Sequence, residues 1–230
     1  MIPFLKISLI FGRTFYYYLL SFLPNSNFRA LKEKWATSAL KDFGYSIEVQ
    51  GQAPTQVTGP LILVGNHISY LDIMLLMSAY PQIVFIAKKE VRSWPIIGVG
   101  ADRAGTLFVD RDHKEDRARM RNSIAEQLLK HKAQVAIFPS GTTTLDENRI
   151  WKKGVFEIAA ENSIPVKAFK ITYEPLRESA YIDDDNLLQQ MQLIFKIENK
   201  KAKLTWLSEY HVSSPIEDAE KIRKAVNCEV

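Results

Sequence analysis

Beyond Gly44 the chain alternates short apolar runs with stretches in which apolar residues recur every three or four positions, the pattern of a sheet covered by helices. The apolar runs predict strands over residues 46–49, 61–64, 83–87, 106–109, 135–138, 166–171, 193–197 and 204–212. Between them, residues 117–132 place Met120, Ile124 and Leu128 on one helical face among charges, so an amphipathic helix with a solvated side is expected. Ser214-Pro215-Ile216-Glu217 has the form of a capping box with proline at the first helical position, starting a short terminal helix to about Ala225. The expected fold class is α/β: a single domain over 44–230 with a mixed, mostly parallel sheet flanked by helices. Residues 1–43 precede it as a separate helical segment.

That N-terminal segment has a different texture. Residues 1–24 are rich in Phe, Leu, Ile and Tyr, but Lys6 and Arg13 interrupt them, whereas a membrane span needs about 20 mostly apolar residues in a row. No small-residue cleavage site closes the run before Pro24, which argues against a removed signal. The remaining reading is an interfacial helix with its two cations reaching toward phosphates. Residues 28–43 add a second helix, with Leu31, Trp35, Leu40 and Phe43 among Arg29, Lys32, Lys34 and Lys41. The pair reads as a basic, aromatic hairpin lying on one leaflet; the plainer alternative packs both helices on the protein's own core.

Composition narrows the function classes. At 230 residues and 47% hydrophobic content the chain can bury one sizeable core and is no disordered polyelectrolyte. A formal charge of +4 suits anionic partners, and on charge alone nucleic acid, anionic lipid headgroups and phosphorylated small molecules all remain open. Cys228 is the sole cysteine, so no internal disulfide forms, and His67, His113, His131 and His211 are too scattered for a zinc site. No metal cofactor is expected. Gly98, Gly100 and Gly105 do not have the spacing of a dinucleotide fingerprint. Tyr181-Ile182-Asp183-Asp184-Asp185 reads as an exposed acidic loop, lacking the glycine turn and terminal glutamate of an EF-hand.

The densest chemistry lies in Asn66-His67-Ile68-Ser69-Tyr70-Leu71-Asp72, directly after the apolar run Leu61-Ile62-Leu63-Val64. An imidazole that takes the proton of an attacking hydroxyl supplies about 10²–10⁴-fold in rate, and a carboxylate on its other nitrogen fixes the tautomer. On an ideal helix residues five apart point about 140° away from each other. His67 and Asp72 therefore meet only if His67 sits in the loop before the helix and Asp72 in its first turns. Ser69 or Asn66 is expected to cap that helix.

Two further segments follow at the ends of apolar runs: Gly105-Thr106-Leu107-Phe108-Val109-Asp110-Arg111 and Phe138-Pro139-Ser140-Gly141-Thr142. With Lys152-Lys153-Gly154 and Ile164-Pro165-Val166, this ordered set resembles the glycerolipid acyltransferase family, the 1-acylglycerol-3-phosphate and lysophospholipid acyltransferases, over roughly Ser46 to Thr172. The resemblance implies that His67 is the general base and Asp72 its orienter, with Ser69, Gly105, Phe108, Arg111, Ser140, Gly141 and Thr142 binding substrate. In that likeness Arg111 holds the acceptor's phosphate, and the backbone of Gly141 and Thr142 stabilises an oxyanion. Lys152 and Lys153, and equally Lys88 and Lys89 after a strand, would border an anionic donor or headgroup.

One departure bears on the acceptor: Ser140 and Thr143 stand where the family carries glutamate and commonly arginine. The implied substrates are a lysophospholipid, by default 1-acylglycerol-3-phosphate, and an acyl thioester of coenzyme A or acyl carrier protein as co-substrate, with no other cofactor and no nucleic acid. The implied location is peripheral or monotopic, on the anionic lipid surface at a membrane's cytoplasmic face. A different lysolipid acceptor, such as lysophosphatidylethanolamine or a lyso-aminolipid, and a non-catalytic lipid-binding protein are the alternatives.

Overall fold

The computed structural model describes residues 3–55, 59–93, 97–109, 114–182 and 184–228. The strands are β1 (Tyr45–Gln50), β2 (Leu61–Gly65), β3 (Val84–Lys88), β4 (Leu107–Val109), β5 (Gln134–Ile137), β6 (Val166–Glu174) and β7 (Lys200–Tyr210). They form one sheet in the order β1-β7-β6-β2-β5-β3-β4. From β6 through β4 every pairing is parallel; β7 runs antiparallel to β6, and β1 is parallel to β7. This is the mixed, mostly parallel sheet the apolar runs implied.

Helices cover both faces, which is why β2 is buried at every position. Its residues alternate between two cores, as the two-residue strand period requires. Leu61 and Leu63 point toward α2 (Phe28–Asp42) and α3 (Leu71–Ala79), packing with Leu40, Phe43, Leu71, Leu75 and Phe169. Ile62 and Val64 point to the opposite face, toward α5 (Lys114–Leu129), α6 (Gly154–Glu161) and α9 (Pro215–Cys228), where Leu128, Phe156, Ile222 and Val226 are buried. Each such side chain removed from water stabilises the fold by about 1.5–3 kcal/mol.

Most boundaries shift by a few residues, and three differences have an identifiable cause. Residues 193–197 are not a strand: Ile194 ends α8 (Leu187–Ile194), a helix started by Asn186, whose side chain accepts from Leu188 N at 3.0 Å and Gln189 N at 3.2 Å. The run Leu193-Ile194-Phe195 looks strand-like only when the helical spacing of buried Met191 and Ile194 is overlooked. β7 begins at Lys200 rather than 204, because the Lys200 side chain is buried and donates to the carbonyl of Ile194 at 2.9 Å. At α9 Pro215 does open the helix, but Asp218, not Glu217, reaches back to the N–H groups of Ser213 (2.8 Å) and Ser214 (2.9 Å).

The N-terminal helices α1 (Pro3–Leu20) and α2 form a hairpin that is part of the core wall. Arg13 grips Asp42 with two hydrogen bonds of 2.6 and 3.1 Å, and Trp35 Nε1 donates to Thr14 Oγ1 at 3.0 Å. Ile7 and Ile10 are buried on the inner side, while Leu5, Leu9, Tyr16 and Leu19 stay exposed on the outer one. The plainer reading therefore holds for the inner face of the helix, and Arg13, expected to reach toward phosphates, is paired with Asp42 instead. Arg103, in α4 (Ile97–Arg103), pins the end of α1 through Ser21 Oγ at 2.7 Å and lies over the Phe22 ring. Among the described residues no helix is long and apolar enough to cross a membrane.

Candidate active site

Parallel pairing brings the carboxyl ends of β2, β5 and β6 together, and the loops that leave them carry the site. β2 closes on Gly65, paired with Phe169; a Cβ at 65 would collide with the Phe169 ring and its carbonyl oxygen, so only glycine lets the strands approach. Beyond it the chain leaves the sheet, but Asn66 continues the ladder with its side chain. Its amide donates to Ile171 O at 2.7 Å and accepts from Ile171 N at 2.8 Å. The expected capping by Asn66 or Ser69 is therefore not what is found.

His67 lies in the loop and Asp72 in the first turn of α3, as the five-residue spacing demands. Nδ1 of His67 is 2.7 Å from Asp72 Oδ2. That oxygen also accepts from the backbone N–H groups of Ile68 at 2.7 Å and Ser69 at 3.0 Å, while Oδ1 accepts from the Tyr173 hydroxyl at 2.7 Å. The carboxylate is wholly buried and so needs all of these donors. The imidazole keeps 19% of its side-chain surface exposed, enough to meet a substrate. Its face stacks on Phe138 with centroids 3.9 Å apart and planes 9° from parallel. His67 O accepts from Thr144 N at 2.8 Å, tying the loop to the segment after β5.

Tyr173 and the stacking role of Phe138 were not anticipated. Tyr173 follows Phe169 and Ile171 at the two-residue strand spacing, on a strand that runs on to Glu174 rather than ending at 171, and that spacing is the signal in the sequence. Burial, and then the nearby Asp72 charge, push its hydroxyl well above the usual tyrosine range, so it stays a donor.

The substrate-binding set is only partly brought together. Ser140 lines the cleft beside His67, its hydroxyl donating to Thr142 O at 2.7 Å. Gly141 adopts φ +76°, and its N–H donates to Phe138 O at 3.0 Å, so the amide expected to meet an oxyanion is already engaged in the turn. Neither Gly141 nor Thr142 is among the residues that line the cleft at His67. The Lys152 ammonium fills the space that a side chain at 141 would occupy, which sets it over this turn. Ser69 is fully buried beneath the site and does not reach the cleft surface. Gly105 and Phe108 flank and occupy β4, which β5 and β3 separate from β2, and neither lines the cleft at His67. Arg111 lies outside the described residues, as do Asp183 of the acidic loop and the side chain of Lys88.

The cleft at His67 is open to solvent and walled by Asp146, Glu147, Arg149 and Lys170, so it offers both signs of charge. With Nδ1 protonated and donating to Asp72, Nε2 carries the imidazole lone pair and can accept a proton from a hydroxyl in that cleft.

Known proteins share this arrangement of segments. The family model described as Acyltransferase matches residues 46–172. The lyso-ornithine lipid O-acyltransferase of Pseudomonas aeruginosa is 32% identical over 212 residues, covering 88% of this chain and 80% of that protein. The 1-acyl-sn-glycerol-3-phosphate acyltransferase of Neisseria meningitidis is 31% identical over 151 residues, 65% of this chain and 58% of its own length. The crystal structure of the 1-acyl-sn-glycerophosphate acyltransferase from Thermotoga maritima superposes with a TM-score of 0.68 at 18% identity, covering 98% of this chain and 95% of that one, which shows a common fold. The matched segment contains β2 through most of β6, and with it the His67–Asp72 pair and the Phe138–Thr142 turn, though not Tyr173: this chain belongs to the Acyltransferase family and is an O-acyltransferase of the lysophospholipid type.

Proposed function

We propose that this enzyme moves a fatty acyl group from a thioester of coenzyme A or acyl carrier protein to the free hydroxyl of 1-acylglycerol-3-phosphate. His67 acts as the general base and Asp72 as its orienter. The observation that carries this reading is the 2.7 Å contact of His67 Nδ1 with a carboxylate held by three other donors, on a ring exposed at the cleft. The acceptor oxygen attacks the thioester carbonyl carbon as its proton passes to Nε2. The tetrahedral oxyanion then collapses with cleavage of the carbon–sulfur bond, and the departing thiolate takes the proton from the imidazolium. No acyl-enzyme forms and no cofactor besides the thioester is needed. Ping-pong kinetics would contradict direct transfer.

A second acceptor, a lyso-ornithine lipid, has specific support. Ser140 and Thr143 replace the acid and the base usual in the family, and the relative named for that acceptor matches across 88% of this chain. A headgroup with one amine and one carboxylate also complements a wall made of Asp146, Glu147, Arg149 and Lys170.

The exposed outer face of α1 supports peripheral docking on a lipid surface, where acceptor and product reside. The deciding experiment is one labelled acyl-CoA offered with a panel of lysolipids to the wild type and to His67→Ala. Phosphatidic acid formed by the wild type alone is the expected result. Acylation of the lyso-ornithine lipid in its place would select the second acceptor, and product formation undiminished in His67→Ala would remove the general-base assignment.

A further inference from the structure

We infer that Tyr173 is a positioning residue for the catalytic pair: by donating to Asp72 Oδ1 it fixes the plane of the carboxylate so that Oδ2 faces His67. The inference rests on the proposed roles of His67 and Asp72 and extends them by one residue into the protein interior.

The geometry leaves the phenol little other purpose. Three of the four donors to Asp72, namely His67 Nδ1 and the backbone N–H groups of Ile68 and Ser69, converge on Oδ2 at 2.7, 2.7 and 3.0 Å. A carboxylate gripped at one oxygen can still turn about its Cβ–Cγ bond. The Tyr173 hydroxyl, 2.7 Å from Oδ1, is the donor that holds the other end. Asp72 is fully buried and Tyr173 nearly so, which excludes water as the substitute. Tyr173 is itself held in place: it is carried by β6, and its ring packs edge-on against Tyr45, with centroids 5.7 Å apart at 70°. Tyr45 in turn donates to Ser179 Oγ at 2.6 Å and not to Asp72. Two buried phenols are therefore adjacent, and only one reaches the catalytic carboxylate.

Tyr173→Phe deletes that single bond, and Tyr45→Phe deletes a neighbouring buried hydroxyl that does not contact the site. Tyr173→Phe is expected to lower kcat about tenfold with the lysolipid KM within twofold of wild type, because substrate contacts are untouched. Independently of any substrate, the low-field proton resonance of the His67 Nδ1–H···Asp72 bond should broaden or vanish in Tyr173→Phe and persist in Tyr45→Phe. A purely structural tyrosine would lower the melting temperature in both variants and leave resonance and kcat per folded molecule unchanged; that result overturns the inference. Should Tyr173→Phe not fold, isotope-labelled tyrosine in the wild type carries the test. The Tyr173 phenol resonance should then shift on Asp72→Asn, and its failure to move overturns the inference equally. Because the resonance is read without acyl donor or acceptor, an inactive wild type would refute the proposed reaction while leaving this test decisive.

Discussion

Replacing Asp72 with asparagine separates the charge of the carboxylate from its shape. The oxygen at the Oδ2 position must still accept from Ile68 N and Ser69 N, so the new carbonyl oxygen occupies that place and the amide nitrogen faces Tyr173. A phenol oxygen can accept as well as donate, so the pair remains bonded. His67 Nδ1–H keeps an acceptor and its tautomer is preserved. What disappears is the attraction between imidazolium and carboxylate as the proton arrives. At 2.7 Å and an effective dielectric of about 20 that attraction is about 6 kcal/mol. The neutral hydrogen bond that remains returns about 1 kcal/mol, and water at the partly exposed ring screens a further part. The net loss is about 3–4 kcal/mol, or 10²–10³ in kcat. Thiol release from acyl-CoA under saturating lysolipid measures it, with circular dichroism confirming the fold. A kcat within threefold of wild type would refute the role of Asp72. A loss beyond about 10⁴ in a folded variant would show the amide reversed, contrary to the two backbone donors.

Further outcomes follow from packing and charge elsewhere. Gly65→Ala forces a methyl into the Phe169 ring and carbonyl, so destabilisation of about 2–3 kcal/mol and a fall in melting temperature of about 5–10 °C are expected by calorimetry. Lys32 is buried against Ile83 O at 2.9 Å, and burial, with the Arg29 charge second, lowers its ammonium to about 8. Because the unfolded chain binds that proton more tightly, stability gains as pH rises from about 8 toward 10.5. The stability of wild type minus Lys32→Met should climb by up to about 3 kcal/mol across that window in urea titrations and stay flat below it. Leu9→Ser combined with Leu19→Ser strips apolar area from the exposed face of α1. Binding to anionic vesicles should drop about tenfold or more in flotation assays, with transfer to a water-soluble short-chain lysolipid unchanged.

Reading the chain alone recovers what is local. Gly59-Pro60 before it and Gly65 after it mark the short run Leu61-Ile62-Leu63-Val64 as a strand, and the helix carrying Ile124 and Leu128 is written in their spacing. His67 and Asp72 are legible as a pair because five residues separate them, a spacing at which they meet when His67 precedes the helix that carries Asp72. Reading 193–197 as a strand failed because a short apolar run has no period of its own, and the cap at Asn186 decided it. The order of strands is different in kind. It depends on which buried faces fit together across long separations, and that order alone sets β5 and β6 beside β2. From it come the Phe138 stack, the Asn66 bridge to Ile171 and the Tyr173 hydroxyl on Asp72, a residue 101 positions away. It also moves Gly105 and Phe108 off to the sheet edge. Sequence determined which chemistry sits in a single turn, since chain connectivity enforces it. Tertiary structure decided which distant side chains hold that turn rigid, since only packing brings them within hydrogen-bonding reach.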